Sequence, residues 1–477
     1  MPFPRRQKFA YSLGALGTAL SQQVFIGYIQ FLYIDIFGLS AGLIGAGWAL
    51  YGLWNAINDP LAGQWSDRTR TRWGRRIPWI AGLALPLAVC FALLWLPPAD
   101  WLNTASRVAP AVCDGSTASF FRAECLGFAF TTPLFLYFMG TVLFFDLLWT
   151  MVVLNWTSLF PEMYPGESER AEVSAYRQVF GLIGALVGTA APPLIVGLAW
   201  PHNQRLLMAV TFASITGATL LVSVWGAKER PEFGEASLPL LPAPKATFAS
   251  RAFRWYVLGN LFNQFAFQML TVMWPFYSKY VLQITADQQS LFLVVVFVGA
   301  IPFLVLWTWL VKRLGSRNAL ILSNLVFAVG VAPLLVVGQF GWALVAGAVM
   351  AVGLAGLLMI PDINLSDVID EDEFATGTRR EGMYFGMNGF LIRFAFTIQG
   401  LLTGAVLTAT HYINPPDPNV FTPQPLSALW GLRGLMALGP VVGSLMCAWA
   451  MWVYPLHGPT LAAVKARVAE LHARRAA

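Results

Sequence analysis

Residues 42–97 read GLIGAGWALYGLWNAINDPLAGQWSDRTRTRWGRRIPWIAGLALPLAVCFALLWLP. Two apolar stretches flank a loop with five arginines between Arg68 and Arg76. Each stretch is long enough to cross a hydrocarbon layer of about 30 Å as a helix. A loop this basic between two such spans predicts that this turn lies on the cytoplasmic side. Inside the first span sits a single carboxylate, Asp59, followed by Pro60.

The same pattern recurs outward from this segment. Apolar spans are predicted at 10–37, 42–65, 78–97, 130–156, 172–199 and 205–226, then at 254–281, 289–311, 319–338, 341–361, 383–410 and 429–454. Between the two sets of six lies 227–253, a charged stretch carrying Pro231, Pro239, Pro242 and Pro244, which reads as a cytoplasmic linker. The expected organisation is a bundle over 1–226, the linker, a second bundle over 254–454 and a cytoplasmic tail over 455–477. With both termini inside, 23 of the 30 Lys and Arg fall on cytoplasmic segments, counting Arg254 at the cytoplasmic edge of its span. Only Arg107, Arg122, Arg205, Lys279 and Arg433 fall outside. An odd number of spans destroys that asymmetry.

Composition agrees. The 477 residues are 57% hydrophobic and 11% charged, against roughly 25% charged in soluble proteins. So little charge cannot cover a soluble particle of this size, and the bilayer is its main solvent. The formal charge of +6 is explained by the cytoplasmic basic loops, so no nucleic-acid partner is expected. No cleavable secretory signal is visible, because the apolar run after Lys8 is too long for one. Cys90 and Cys447 fall inside apolar spans as packing residues. Cys113 and Cys125 share the longest external loop, a compartment that permits a disulfide.

An ionisable group at the centre of a membrane helix costs at least ~2.5–3.5 kcal/mol, so each needs a reason. The candidates are Asp59, Asp146, Arg177 and Arg393, with Asp35 near an outer helix end. Pro60 frees the Ala56 carbonyl beside Asp59, making a polar notch fit for a proton or a small hard cation. Asp146, Thr150 and Thr157 share a face of the fourth span. Asn260, Gln264 and Gln268 form a stripe on the seventh, with Asn263 beside it. Ser21, Gln22, Gln23, Tyr28 and Gln30 load the first. Amides offer both donors and acceptors and so suit a hydroxylated ligand. Polar stripes also serve simply as helix–helix glue; three of them on different helices favour a water-filled cavity. Gly181, Gly184 and Gly188 supply a small-residue packing face.

Asp362, Asp367 and Asp370 to Glu373 precede Arg379 and Arg380. They read as a solvated cytoplasmic loop whose acids pair with the basic loops as the halves rock. No glycine-rich phosphate loop ending in Lys-Ser or Lys-Thr occurs, so ATP-driven pumping lacks support. No Ser/His pairing at membrane depth supports hydrolysis, and no enzyme activity is expected.

Several segments together resemble the glycoside–pentoside–hexuronide:cation symporters, the melibiose-permease-like family of the major facilitator superfamily. They are Tyr33-Ile-Asp35-Ile-Phe-Gly38, Asn58-Asp59-Pro60 with Asp67-Arg68 through Arg75-Arg76-Ile-Pro78, Ser158-Leu-Phe-Pro161-Glu162, and Asp367 to Glu373 with Arg379-Arg380-Glu381-Gly-Met-Tyr-Phe-Gly386. The resemblance implies an all-α membrane protein: twelve transmembrane helices in two pseudo-symmetric six-helix bundles around a central cavity, with alternating access. Asp59 falls on one of the family's cation-site carboxylates, Asn55 on the other, and Thr150 on a threonine near the cation. Arg177 falls on a cavity arginine and Arg393 on a cavity lysine. The two sugar-gripping aspartates fall on Ala19 and Val153.

The expectation is therefore a monomeric secondary transporter of the bacterial inner membrane. It couples a sugar-type solute to H+ or Na+, with no other cofactor. Asp59, Asn55 and Thr150 form the cation set. Gln22, Gln23, Asp146, Arg177, Asn260, Gln264, Gln268 and Arg393 form the solute set. Asp67, Arg68, Arg75, Arg76, Asp367, Asp370, Arg379 and Arg380 form the conformational loops. A lone carboxylate with neutral partners favours H+ over Na+, and the two arginines favour an acidic sugar. The rival readings are a lysophospholipid or other amphiphile carrier of the same fold, and a non-transporting membrane sensor or scaffold.

Overall fold

Twelve long helices follow one another in the computed structural model, which describes residues 3–102, 133–164, 167–229, 247–377, 380–415 and 420–476. Cys113 and Cys125 lie outside the described residues. The helices are α1 (Arg5–Phe31), α2 (Ala41–Arg68), α3 (Ile77–Leu94), α4 (Pro133–Met163), α5 (Glu167–Val196) and α6 (His202–Gly226), then α7 (Arg251–Tyr277), α8 (Ala286–Leu314), α9 (Ser316–Val331), α10 (Phe340–Thr376), α11 (Glu381–Ala409) and α12 (Leu426–Val453). A thirteenth, α13 (Gly458–Ala476), covers the tail. Among the described residues nine helices are long and apolar enough to span a membrane. The long helices that fall short are α1, α2 and α7, of 27, 28 and 27 residues. They carry the polar residues singled out above, so the deficit in hydropathy and the chemistry have one cause.

The chain forms two compact units. The first contains residues 1–237 together with 278–290 and 400–429; the second contains 238–277, 291–399 and 430–477. In the first, α1 packs against α5 and α6. The approach needs glycine. A Cβ on Gly184 would lie 2.3 Å from the Leu16 carbonyl oxygen, and one on Gly188 would lie 2.7 Å from that of Leu20. Gly181 faces open space and takes no part. In the second unit α9 and α10 pack in the same manner, and a Cβ on Gly353 would lie 2.5 Å from the Phe327 backbone nitrogen. Leu85, Val89 and Leu93, four residues apart on α3, are 58%, 60% and 45% exposed. Such an apolar stripe suits lipid and not water.

Local sequence explains the helix ends. Ser40 caps α2 by accepting the Leu43 N–H at 3.2 Å. The start of α3 has no cap of its own, and the Glu229 carboxylate accepts the N–H groups of Arg75, Arg76 and Ile77 at 2.7, 2.6 and 2.7 Å. Those are orphan donors at a positive helix end, which a carboxylate satisfies in both respects.

One expectation needs correcting. The acidic run is not a solvated loop. It continues α10 for four turns to Thr376, where Gly377 in the left-handed region (φ 71°) ends the helix. No glycine or proline interrupts the chain between Pro361 and Gly377, so helix propagation meets no breaker. Asp367, Asp372 and Glu373 are buried.

Candidate functional site

Within the first unit, α2 and α4 join through polar side chains. Tyr51, Asn55 and Asn58 recur at helical spacing on α2, and Asp146 and Thr150 lie one turn apart on α4. The Asp146 carboxylate accepts hydrogen bonds from the Tyr51 hydroxyl at 2.9 Å and from Asn58 Nδ2 at 2.8 Å. Asn58 Nδ2 also lies 3.3 Å from Thr150 Oγ1, whose hydroxyl donates to Asp59 Oδ1 at 3.4 Å. Asn55 donates to the Tyr51 carbonyl at 2.9 Å. Asn55, Asn58, Asp146 and Thr150 are all buried, while Asp59 is half-buried. Asn58 Oδ1 is buried and meets no donor among the described residues.

Two carboxylates thus belong to one connected chain of polar groups. The sequence reading set Asp146 among the solute residues, but its hydrogen bonds tie it to α2 and to the cation candidates. The chemistry available is oxygen ligation: two carboxylates, the Thr150 hydroxyl and the unsatisfied Asn58 oxygen, as a hard monovalent cation requires. Tyr51 and Asn58 had no role on sequence grounds. Their spacing from Asn55 was visible, but their partners are 95 and 88 residues away.

The solute candidates fall in both units. In the first, Gln22 and Gln23 are half-buried on α1, and Gln23 Oε1 is buried without a donor among the described residues. The Arg177 guanidinium on α5 lies 4.4 Å from the Trp156 ring centroid and 4.6 Å from that of Phe160. Its Nε meets no acceptor among the described residues. Two aromatic faces therefore hold this cation at modest cost while its hydrogen-bonding edge stays available.

In the second unit Asn260 donates to Asn388 Oδ1 at 2.9 Å and to the Tyr256 hydroxyl at 3.2 Å. Gln264 is half-buried. Gln268 is buried with Oε1 lacking a donor among the described residues. Arg393 is half-buried on α11. Asn263 donates to the Leu357 carbonyl at 3.1 Å and accepts from Asn324 at 3.2 Å, so it binds α7 to α9 and α10.

The loop residues find partners inside their own units. Arg75 and Arg76 both pair with Glu162, at 2.7 and 2.8 Å. Arg68 is exposed at the end of α2. The Asp67 side chain and Arg379 lie outside the described residues. Asp367 accepts from Ser316 at 2.9 Å and pairs with Lys465 of α13 at 2.7 Å. Arg380 pairs with Asp372, and that hydrogen bond raises the guanidinium pKa above its usual value. Asp370 is half-buried near the end of α10.

The model of the family described as MFS/sugar transport protein matches residues 10–458. The isoprimeverose transporter of Lactiplantibacillus pentosus is 26% identical over 430 residues, spanning 86% of this chain and 81% of that protein. The glucuronide carrier protein homolog of Escherichia coli (strain K12) is 24% identical, spanning 94% of this chain and 89% of its own length. Among solved structures, a D-xylose-proton symporter superposes with a TM-score of 0.61 at 14% identity, covering 94% of this chain and 97% of that one. The likeness to that structure establishes the major facilitator fold.

Proposed function

Because the chain belongs to the MFS/sugar transport protein family, it is a multi-pass membrane transporter and not an enzyme, and we propose that it carries a sugar-type solute, with preference for an acidic sugar, in symport with Na+. The observation that carries the coupling half of this reading is the Asp59–Thr150–Asn58–Asp146 chain. A lone Asp59 favours H+. A second carboxylate, a hydroxyl and an unsatisfied amide oxygen nearby supply the oxygen ligands that Na+ needs. Three amides without a donor for an oxygen, at Asn58, Gln23 and Gln268, mark places where a bound species completes the hydrogen bonding or ligation. In the first unit Arg177 supplies positive charge for a carboxylate, and Gln22 and Gln23 supply donors and acceptors for hydroxyls; in the second, Arg393 and then Asn260, Gln264 and Gln268 offer the same chemistry. Relatives named for isoprimeverose and glucuronide transport support the same substrate class.

The decisive experiment is counterflow in proteoliposomes with labelled neutral glycosides, hexuronides and lysophospholipids. Each is run with a Na+ gradient and, separately, with a pH gradient. Exchange of a hexuronide, with uphill uptake under the Na+ gradient alone, is the expected result. Exchange of a lysophospholipid and no sugar overturns the substrate class. Uphill uptake under the pH gradient alone overturns the choice of Na+.

Orientation is checked separately. Reporter fusions at residue 115 are expected to read external, and those at 240 and 470 cytoplasmic, following the distribution of positive charge. An external signal at 240 defeats the six-plus-six arrangement.

A further inference from the structure

The first helices of the two sequence halves end alike. α1 runs into a five-residue π-turn, Leu32–Ile36, and α7 into another, Ser278–Leu282. Just before or within each turn stands a tyrosine whose hydroxyl donates to a carbonyl at the end of the third helix of its half. Tyr33 reaches Leu94 at 3.2 Å, and Tyr277 reaches Leu334 at 2.7 Å. In both, the chain then closes on itself over six residues, Leu39 N–H to the Tyr33 carbonyl and Ile284 N–H to the Ser278 carbonyl. The sequences align as Tyr33-Ile-Asp35 and Tyr277-Ser-Lys279. Counted from the tyrosine, one copy carries an acid two residues on and the other a base, while the π-turn starts one residue before Tyr33 and one residue after Tyr277.

These two residues meet inside the first unit. Lys279 Nζ lies 2.6 Å from Asp35 Oδ2, with their side chains 7% and 0% exposed. Tyr280 and Tyr412 both donate to Asp35 Oδ1. The Lys279 ammonium also faces the Tyr280 and Phe31 rings, 5.2 and 5.7 Å from their centroids. Asn414 Nδ2 donates to the Leu39 carbonyl at 2.9 Å. Nearby, Gly404 approaches Gly45, and Gly400 approaches Trp48, closely enough that a Cβ on either would need the chain to move. Segments 278–290 and 400–429 are thereby held against α1 and α2, at the helix ends opposite the basic loops.

A buried ion pair contributes little net stability against well-packed apolar residues, and its worth lies in specifying one arrangement. Helices with π-turns recur where backbone geometry serves function. We propose that Asp35 and Lys279 form a latch that closes the face opposite the basic loops, and that each transport cycle breaks it to admit solute from that side. Tyr280 and Tyr412 set the latch by fixing the carboxylate. The inference rests on the family's transport function and on the orientation proposed above, but its test requires neither solute nor ion.

The test places a reporter cysteine at Ala19, midway along α1, in a variant whose four native cysteines are serines. A membrane-impermeant maleimide is applied to right-side-out and to inside-out vesicles. Neutralising the pair with Asp35→Asn plus Lys279→Met is expected to speed labelling from the external face on the order of tenfold and to slow it from the other, as a population shift requires. The exchange Asp35→Lys plus Lys279→Asp is expected to return both rates toward the starting values. Tyr412→Phe, which removes one hydroxyl and keeps the pair, is expected to give a smaller change in the same direction. General loosening of the fold speeds labelling from both faces and contradicts the latch. So does a folded double-neutral or Tyr412→Phe variant with unchanged rates. Acceleration from the cytoplasmic face, with reporter fusions placing the basic loops outside, overturns the orientation and leaves the latch standing, whereas acceleration from the face that carries the basic loops contradicts the latch.

Discussion

Asp59→Asn is expected to abolish uphill accumulation while leaving counterflow within a few-fold of the unsubstituted protein. Coupling needs the solute and the ion to favour one shared state of the carrier, and the ion to contribute its gradient. One Na+ brings about 2.3 kcal/mol per 100 mV and about 1.4 kcal/mol per tenfold concentration ratio, enough for accumulation of several hundredfold. An asparagine at 59 keeps the shape of the side chain and its bond from Thr150, but removes the charge that holds the ion. Accumulation in proteoliposomes then falls to a ratio near one. Asp146→Asn gives the companion result. With its charge gone, the Tyr51 and Asn58 donors face an amide, and Na+ dependence is lost likewise. If Asp59→Asn still concentrates solute against its gradient, the carboxylate is structural and coupling lies elsewhere. Asn55→Asp is the converse change: a further carboxylate beside the chain lowers the Na+ concentration at half-maximal uptake.

Gly184→Leu is expected to cost about 3 kcal/mol or more, and Gly181→Ala almost nothing, although the two positions lie within one turn of each other. A side chain at 184 meets the Leu16 backbone, where a Cβ alone stands 2.3 Å from the carbonyl oxygen. No rotamer relieves a clash at Cβ, so α1 and α5 must separate and lose their packing along the interface. At 181 nothing lies within 4 Å of the added carbon. Alanine there gains up to ~1 kcal/mol of helix propensity over glycine. Melting in detergent, followed by tryptophan fluorescence, separates the two. A fall of roughly 5–10 °C is expected for Gly184→Leu, and a change of less than ~2 °C for Gly181→Ala. Equal melting temperatures remove the close approach as a source of stability.

The glycine stripe shows what the sequence could and could not say. Spacing identifies a small-residue face, but which glycine touches a neighbour depends on helix rotation, which period alone does not fix. The helices themselves were legible because hydrocarbon imposes length and hydropathy on every span. The partial exceptions were the helices bearing the amides and Asp59. In the candidate site, the proline notch singles out Asp59, and a resemblance points to Asn55 and Thr150. The link from Asp146 to the cation candidates is not legible in the sequence, because its partners Tyr51 and Asn58 lie on another helix. The lower end of α10 was read as loop from its charge. The better signal was the absence of any breaker before Gly377. Glu229, which caps α3 from some 150 residues away, left no mark in local pattern at all.

The pairing of Lys465 with Asp367 also orders events on the ribosome. Arg380, eight residues beyond Asp372, arrives within about two seconds of it at 5–20 residues per second. Lys465 is made 98 residues after Asp367, a delay on the order of 5–20 s. Through that interval Ser316, already synthesised, is the one of these two partners that the carboxylate has within the chain made so far. The α13 lysine then brings a positive charge to an acid made long before it, so this pairing cannot form until synthesis has passed residue 465.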